Sequence, residues 1–347
     1  MKSQNNMLKD SLKLLILLLL FAATACNRQQ DSKKDSEPMS VADSLIADIE
    51  ALTLRIQSDS ANADLFQSRA LGYLELGKPN QAMRDMLVAI QLDSDNADYL
   101  LTLADIYLSM GLLDNCAETL NRALEIDPEN TEGMLKLAEI HLILKKYREA
   151  IEAADKAIAL EKTNPLPHLM KGYTYAEAGD TLNAIKSYLE AISLNQNYYE
   201  AYLQLGFIYS TKGNQLAIDY FNNALNINPE STEALYSLGM FYQEAGDTDN
   251  AIETYNKLLL IEPDNIYAKY NLGYINLVYF NDFEQAMQFF DEVLRINPNY
   301  YEALYNKGYC LELMGEYSAA RDIYSEVLEI QTNYQKAIEG LNRIYDK

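Results

Sequence analysis

Residues that do chemistry are scarce in this 347-residue chain, which has two histidines, three cysteines and 28 Lys plus Arg against 51 Asp plus Glu. His141 and His168 belong to no HExxH pattern, no CxxC pair occurs, and nothing clusters at metal-ligand spacing, so a zinc site is excluded on ligand supply alone. Neither a GxSxG elbow nor a phosphate-binding glycine loop is present. Acidic pairs such as Asp247 and Asp249 fall in turns, where Asp serves local hydrogen bonds. These absences point to a protein that binds and is not an enzyme, with no cofactor implied. Scarcity of basic residues disfavours nucleic acid, whose affinity comes from neutralising phosphates. No run after residue 25 is apolar enough to cross a bilayer. Cys116 and Cys310 are expected to be small buried packing residues, not a disulfide pair.

What is present begins at the N-terminus. Lys2, Lys9 and Lys13 form a basic stretch, followed by an apolar run from Leu14 to Ala23 and then Ala23-Thr24-Ala25-Cys26. That run is too short to span a membrane and right for a signal peptide over residues 1–25. The small residues before Cys26 resemble the lipobox of bacterial lipoproteins. The resemblance implies that Cys26 is lipidated, becomes the mature N-terminus and anchors the chain to the membrane. An ordinary cleaved secretory signal ending in Cys is the alternative. Removing residues 1–25 leaves 25 basic against 50 acidic residues, a net charge of −25. Residues 26–40 are polar with Pro38 and no apolar period, which predicts a flexible tether. Ser40 with Asp43 predicts a capped helix start, and residues 41–60 carry Leu45, Ile46, Ile49, Leu52 and Ile56 on one face as an N-terminal cap.

From residue 63 to 334 the chain repeats itself eight times: 63–96, 97–130, 131–164, 165–198, 199–231, 232–265, 266–300 and 301–334. The eighth position of each unit is small: Ala70, Ala104, Ala138, Gly172, Gly206, Gly239, Gly273 and Gly308. A second small site reads Ala82, Cys116, Ala150, Ala184, Ala217, Ala251, Ala286 and Ala320. Gly77, Gly111, Gly179, Gly213, Gly246 and Gly315 stand where a first helix (A) turns into a second (B). Pro128, Pro229, Pro263 and Pro298 stop helix B. Lys145 at the third turn and an insertion near Tyr279-Phe280-Asn281 depart in detail only. This period and these anchors resemble the tetratricopeptide repeat (TPR). The implied fold is all-α, a right-handed α-solenoid of about eight helix-turn-helix repeats. Residues 335–347, with Ala337, Ile338, Leu341 and Ile344, are expected to form a C-terminal capping helix.

In this family the second, fifth, ninth and twelfth positions of helix A line the concave surface. Here the ladder Tyr173, Phe207, Tyr236, Tyr270, Tyr274, Tyr305 and Tyr309 recurs at the fifth and ninth positions of repeats four to eight. It is the expected partner-binding groove, set against the alternative that tyrosine simply packs the solenoid. Asp64, Asp98, Glu132, Glu200, Glu233 and Glu302 occupy the second position, and of the groove sites assigned only Lys136 is basic. The expected ligand is therefore a protein or peptide segment, neutral or basic rather than acidic. An adaptor in the bacterial cell envelope, at the outer membrane, in assembly or secretion, is the leading reading; Asn27 after the cysteine favours that membrane. A glycan- or peptidoglycan-binding lipoprotein is the second.

Overall fold

Local signals in the chain explain where each helix starts. In the computed structural model, which describes residues 40–347, side chains of Ser40, Asn96, Asn130, Ser231, Asp247, Asn265 and Asp282 accept hydrogen bonds from backbone N–H groups of the turns they open. Helix B of repeats two, five, six and seven ends two residues before Pro128, Pro229, Pro263 and Pro298. Proline lacks the N–H to continue and forces the preceding residue out of helical backbone. The expected signal peptide, Cys26 and the tether up to residue 39 lie outside the described residues.

The result is the all-α fold expected from the repeats, with no strand among the described residues. Two compact units divide the chain, one running to Asp180 and the other from Thr181 to Lys347. The first holds α1 (Val41–Ser58), α2 (Ala63–Glu75), α3 (Pro79–Leu92), α4 (Ala97–Ser109), α5 (Leu113–Ile126), α6 (Thr131–Ile143), α7 (Tyr147–Leu160) and α8 (Leu166–Glu177). In the second are α9 (Thr181–Leu194), α10 (Tyr199–Ser210), α11 (Leu216–Ile227), α12 (Thr232–Glu244), α13 (Thr248–Ile261), α14 (Ile266–Ile275), α15 (Phe283–Ile296), α16 (Tyr301–Leu313), α17 (Tyr317–Ile330) and α18 (Gln335–Arg343). Within each unit, helices pack against their sequence neighbours, the nearest-neighbour architecture of a solenoid.

The small sites do the steric work expected of them. Ala70, Ala82, Ala104, Ala138 and Ala150 are buried, as are Cys116 and Cys310, both free thiols that burial pushes up to a pKa of about 12. Early and late repeats solve the A–B contact differently. In repeats one to three, alanine at the eighth position meets aliphatic or small partners sixteen residues on: Met86, Leu120 and Ala154. In repeats five to eight, glycine there faces a buried aromatic ring on helix B. A Cβ on Gly206, Gly239 or Gly273 would lie 2.6, 2.7 or 2.8 Å from Phe221, Tyr255 or Phe290, and on Gly308 3.0 Å from Tyr324. The wider rings need the volume that a methyl group would take.

All eight A-to-B turns end in a residue with left-handed backbone: six glycines, Lys145 with φ 57° in the third repeat, and an asparagine in the seventh. At the seventh repeat the extra residue is absorbed by a π-helical turn, Asn276–Phe280, closed by Asn281 at φ 53°. A polar lock missed by sequence reasoning ties the N-terminal cap down. Arg69 of α2 donates through Nε and Nη2 to the buried Asp85 of α3 at 2.7 Å each and through Nη1 to Thr53 of α1 at 3.1 Å.

Candidate functional site

In the second unit, α10, α12, α14 and α16 are successive A helices, and their fifth and ninth positions carry six of the seven expected site residues. Cross-repeat contacts hold them in register. Asn306 Nδ2 of α16 donates to the Tyr270 hydroxyl of α14 at 3.0 Å, and Asn271 Nδ2 of α14 reaches Met240 Sδ of α12 at 3.2 Å and the Tyr255 hydroxyl at 3.1 Å. Four of the rungs also lean on the B-helix ring of their own repeat. Phe207 meets Phe221 with ring centroids 5.6 Å apart, Tyr236 meets Tyr255 at 6.2 Å, Tyr270 meets Phe290 at 5.9 Å and Tyr305 meets Tyr324 at 5.6 Å. The ladder is thus the outer layer of a double aromatic stack whose inner layer fills the glycine notches.

Exposure differs along it. Phe207, Tyr236, Tyr270, Tyr274 and Tyr309 are half-buried, whereas Tyr305 is 9% exposed. Tyr173 belongs to the first unit and is 2% exposed, so its ring offers almost no surface to a partner. Tyr274 makes no ring contact with another residue of the ladder or with helix B, which leaves it the rung least tied to packing. Tyrosines outside the expected set enlarge the same face. Tyr267 of α14, nearly half exposed, contacts Tyr236 edge-on at 6.0 Å, and Tyr300 lies 5.4 Å from Tyr270. Their signal was available, because Tyr267 is a second-position residue and Tyr300 immediately precedes α16.

Charge on this face needs one correction. Sequence positions allowed only Lys136 as a basic groove residue, yet α18 brings two more cations. Lys336 Nζ stands 5.8 Å from the Tyr305 ring centroid, and the Arg343 guanidinium 5.6 Å from that of Tyr309. Reading residues 335–347 in the register of a ninth A helix puts Lys336 at the second position and Arg343 at the ninth, so the pattern was legible. Glu233, whose carboxyl is raised above its usual range by burial, and Glu302 have no Lys or Arg within ion-pair distance among the described residues.

In the first unit the fifth and ninth positions mix Leu71, Leu101, Leu135, Leu169 and Tyr173 with the polar Gln67, Asp105 and Glu139. Lys136 of α6 bridges Asp105 of α4 at 2.8 Å and Glu132 at 3.1 Å. Glu139, at the ninth position of α6, has one carboxyl oxygen buried without a hydrogen-bond partner. Burial is the main cause that raises its pKa to about 7; Lys136 opposes the shift and Asp105 adds to it. Two hollows lie away from the tyrosine face. The one between α1 and α2, about 430 Å³, is lined by Leu45, Ile49, Arg55 and Leu71 among others. Among the described residues no group of three or more His, Cys, Asp or Glu side chains could hold a metal ion, and no helix is long and apolar enough to cross a membrane.

Comparison with known proteins places the fold. Tetratricopeptide-repeat family models match residues 73–133, 214–271 and 277–341, with further repeat models over 131–164 and 172–213. The chain belongs to the tetratricopeptide-repeat family. Among solved structures it is similar to the C-terminal part of a TPR repeat-containing protein from Cytophaga hutchinsonii, at 17% identity and TM-score 0.55 over 65% of this chain and 93% of that one. It also matches MamA, at 28% identity and TM-score 0.43 over 46% and 95% of the two chains. YrrB, a TPR protein described as having an unusual peptide-binding site, matches at 23% identity and TM-score 0.42 over 53% and 95%. No curated protein matches.

Proposed function

We propose that this chain is a non-catalytic adaptor, lipidated on Cys26 and held at the bacterial outer membrane, that captures a neutral or basic protein segment in cell-envelope assembly or secretion. The observation that carries the binding half is the half-buried tyrosine face of α12, α14 and α16, whose carboxylates Glu233 and Glu302 lack internal counterions. Tyrosine presents a large amphipathic surface at little entropic cost and is enriched where binding energy concentrates. Uncompensated carboxylates select against acidic partners and nucleic acid. The anchoring half rests on the lipobox-like Ala23-Thr24-Ala25-Cys26.

Two experiments separate the halves. Crosslinking and affinity capture from envelopes with wild-type and Tyr274→Ala protein is expected to enrich a protein partner that the variant loses. Truncating a central anchor of this kind costs about 2 kcal/mol of binding, roughly a thirtyfold loss. Tyr274 is the appropriate probe because Tyr270 packs on Phe290 and Tyr300, so its loss would unsettle the fold as well. Enrichment of glycan in place of protein would favour the second reading. For the anchor, wild-type protein is expected to sediment with membranes and incorporate labelled fatty acid, and Cys26→Ser to do neither. A fully soluble, unlabelled wild type would remove the membrane half.

A further inference from the structure

Along α16, Glu302, Tyr305, Tyr309 and Glu312 follow at spacings of three, four and three, and so form one stripe on the helix. The two ends of that stripe are finished differently. At the C-terminal end, Glu312 accepts two hydrogen bonds from Arg343 of α18, at 2.8 and 2.9 Å, and one from the Tyr324 hydroxyl at 2.6 Å. The same guanidinium lies over Tyr309, and the neighbouring Lys336 over Tyr305. A carboxylate and the faces of tyrosine rings together hold a cation there, and the chain supplies it. Arg343 is held firmly in its charged form, first by that hydrogen bond.

At the N-terminal end the same ingredients occur without the cation. Tyr300 contacts Tyr270, and Tyr301 contacts Tyr334 with ring centroids 5.1 Å apart. The Tyr301 hydroxyl is raised first by its hydrogen bond to Glu302, and the charge of Glu302 also acts on Tyr270, Tyr300 and Tyr334; burial first and Glu302 second push the Tyr334 hydroxyl up to about 12. Among the described residues neither Lys nor Arg reaches Glu302, and the nearby Lys307 pairs instead with Asp291 at 2.6 Å. A first-turn acid favours the helix dipole, which accounts for a carboxylate at this position but not for the two tyrosine pairs that flank it.

We infer that Glu302 with Tyr300, Tyr301 and Tyr334 is a subsite for a Lys or Arg side chain of the protein partner, equivalent to the place that Arg343 takes on Glu312. This rests on the proposed binding face of α12, α14 and α16, and narrows its ligand to a segment carrying at least one cation. The physical reason is desolvation. A neutral segment laid over this stripe would strip water from Glu302 and leave its charge unpaired, whereas a cation gains both the carboxylate and the ring faces.

The test is calorimetric titration of the full chain with two blocked twelve-residue peptides, one alternating Gly and Arg, the other Gly and Gln. Wild type is expected to bind the Gly–Arg probe at least tenfold more tightly than the Gly–Gln probe. Glu302→Gln is expected to lower Gly–Arg affinity about tenfold while the protein stays folded, with only the small loss of a first-turn charge in its thermal midpoint, and the Gly–Gln affinity stays unchanged. Tyr274→Ala is expected to weaken both probes. Glu326→Gln, on the exposed side of α17, is expected to leave both unchanged. If Glu302→Gln binds Gly–Arg as wild type does while Tyr274→Ala weakens it, the cation subsite is wrong and the face stands. An equal loss in Glu302→Gln and Glu326→Gln means diffuse charge attraction and likewise overturns the subsite. If Gly–Arg binds but Tyr274→Ala weakens neither probe, the proposed face fails with it. No measurable Gly–Arg binding overturns the subsite outright.

Discussion

Gly239 sits in the middle of a helix, where glycine ordinarily costs about 1 kcal/mol relative to alanine. Replacing it with alanine would recover that propensity and yet place a Cβ 2.7 Å from the ring of Tyr255. The ring cannot swing aside freely, because its hydroxyl donates to Gln243 at 3.0 Å and accepts from Asn271 at 3.1 Å. Overpacking is expected to prevail, so Gly239→Ala destabilises the chain by about 1–3 kcal/mol in urea unfolding. Gly239→Leu is expected to be worse. A Gly239→Ala protein as stable as wild type would show that Tyr255 repacks and that the glycine is not there for volume. The residues themselves carried part of this signal, since every repeat with glycine at the eighth position also has Tyr or Phe on helix B. Sequence alone could not show that the two meet, because the contact spans fifteen to seventeen positions and a turn.

At the scale of one helix, α6 shows how a groove position can be decided by its neighbours. Glu139 stands where Phe207, Met240, Tyr274 and Tyr309 stand in the second unit, and its carboxyl is largely withdrawn from water with one oxygen unpartnered. Its pKa rises from 4.5 to about 7, so between those values the folded chain binds a proton that the unfolded chain has released. Stability therefore falls as pH rises from about 4.5 to 7 through this group. Glu139→Gln keeps the shape and removes the titration. It is expected to match wild type near pH 4.5 and to exceed it by roughly 2 kcal/mol at pH 8, given about 1.4 kcal/mol per pKa unit and partial solvent access. Urea midpoints at the two pH values check this. Equal pH dependence in both proteins would mean that the carboxyl is well hydrated after all. The position and acidity of Glu139 were readable, whereas its desolvation was not, because burial is set by what the helices packed around α6 place beside it.

Stability of the whole chain rests on contacts between sequence neighbours, which makes the open ends vulnerable. The helix α18 covers the last repeat: Ala337 and Ile344 are fully buried, and Gly340 lies against Tyr324 so closely that a Cβ would come within 2.5 Å of it. Arg321 Nη2 also donates to the Ile344 carbonyl at 3.0 Å. Deleting residues 335–347 strips that cover from Tyr324 and Tyr305 and removes Arg343, the cation paired with Glu312. The loss is expected to be on the order of 3–5 kcal/mol, from the burial of two or three large side chains, with aggregation as the apolar face opens. Thermal unfolding and light scattering of the truncated protein test it. An unchanged midpoint with no aggregation would mean that the last repeat is complete without α18.

Sequence by itself determined the period, the helix ends and the small sites, because these depend on local rules. Proline is tolerated in a helix's first turn but cannot continue one that has formed, the residue after helix A must adopt positive φ, and close helix approach tolerates only small side chains. The candidate ladder was also in reach, since a fixed phase in a repeating helix pair fixes a face. What the tertiary structure decided was the degree and the company. It sank Tyr173 and Tyr305 while leaving Tyr274 accessible, paired Asp105 with Lys136, and laid Arg343 on Tyr309 and Glu312 while leaving Glu302 without a cation. Burial and pairing are sums over side chains brought from other repeats, about 31 to 36 positions away, and no local pattern contains those sums.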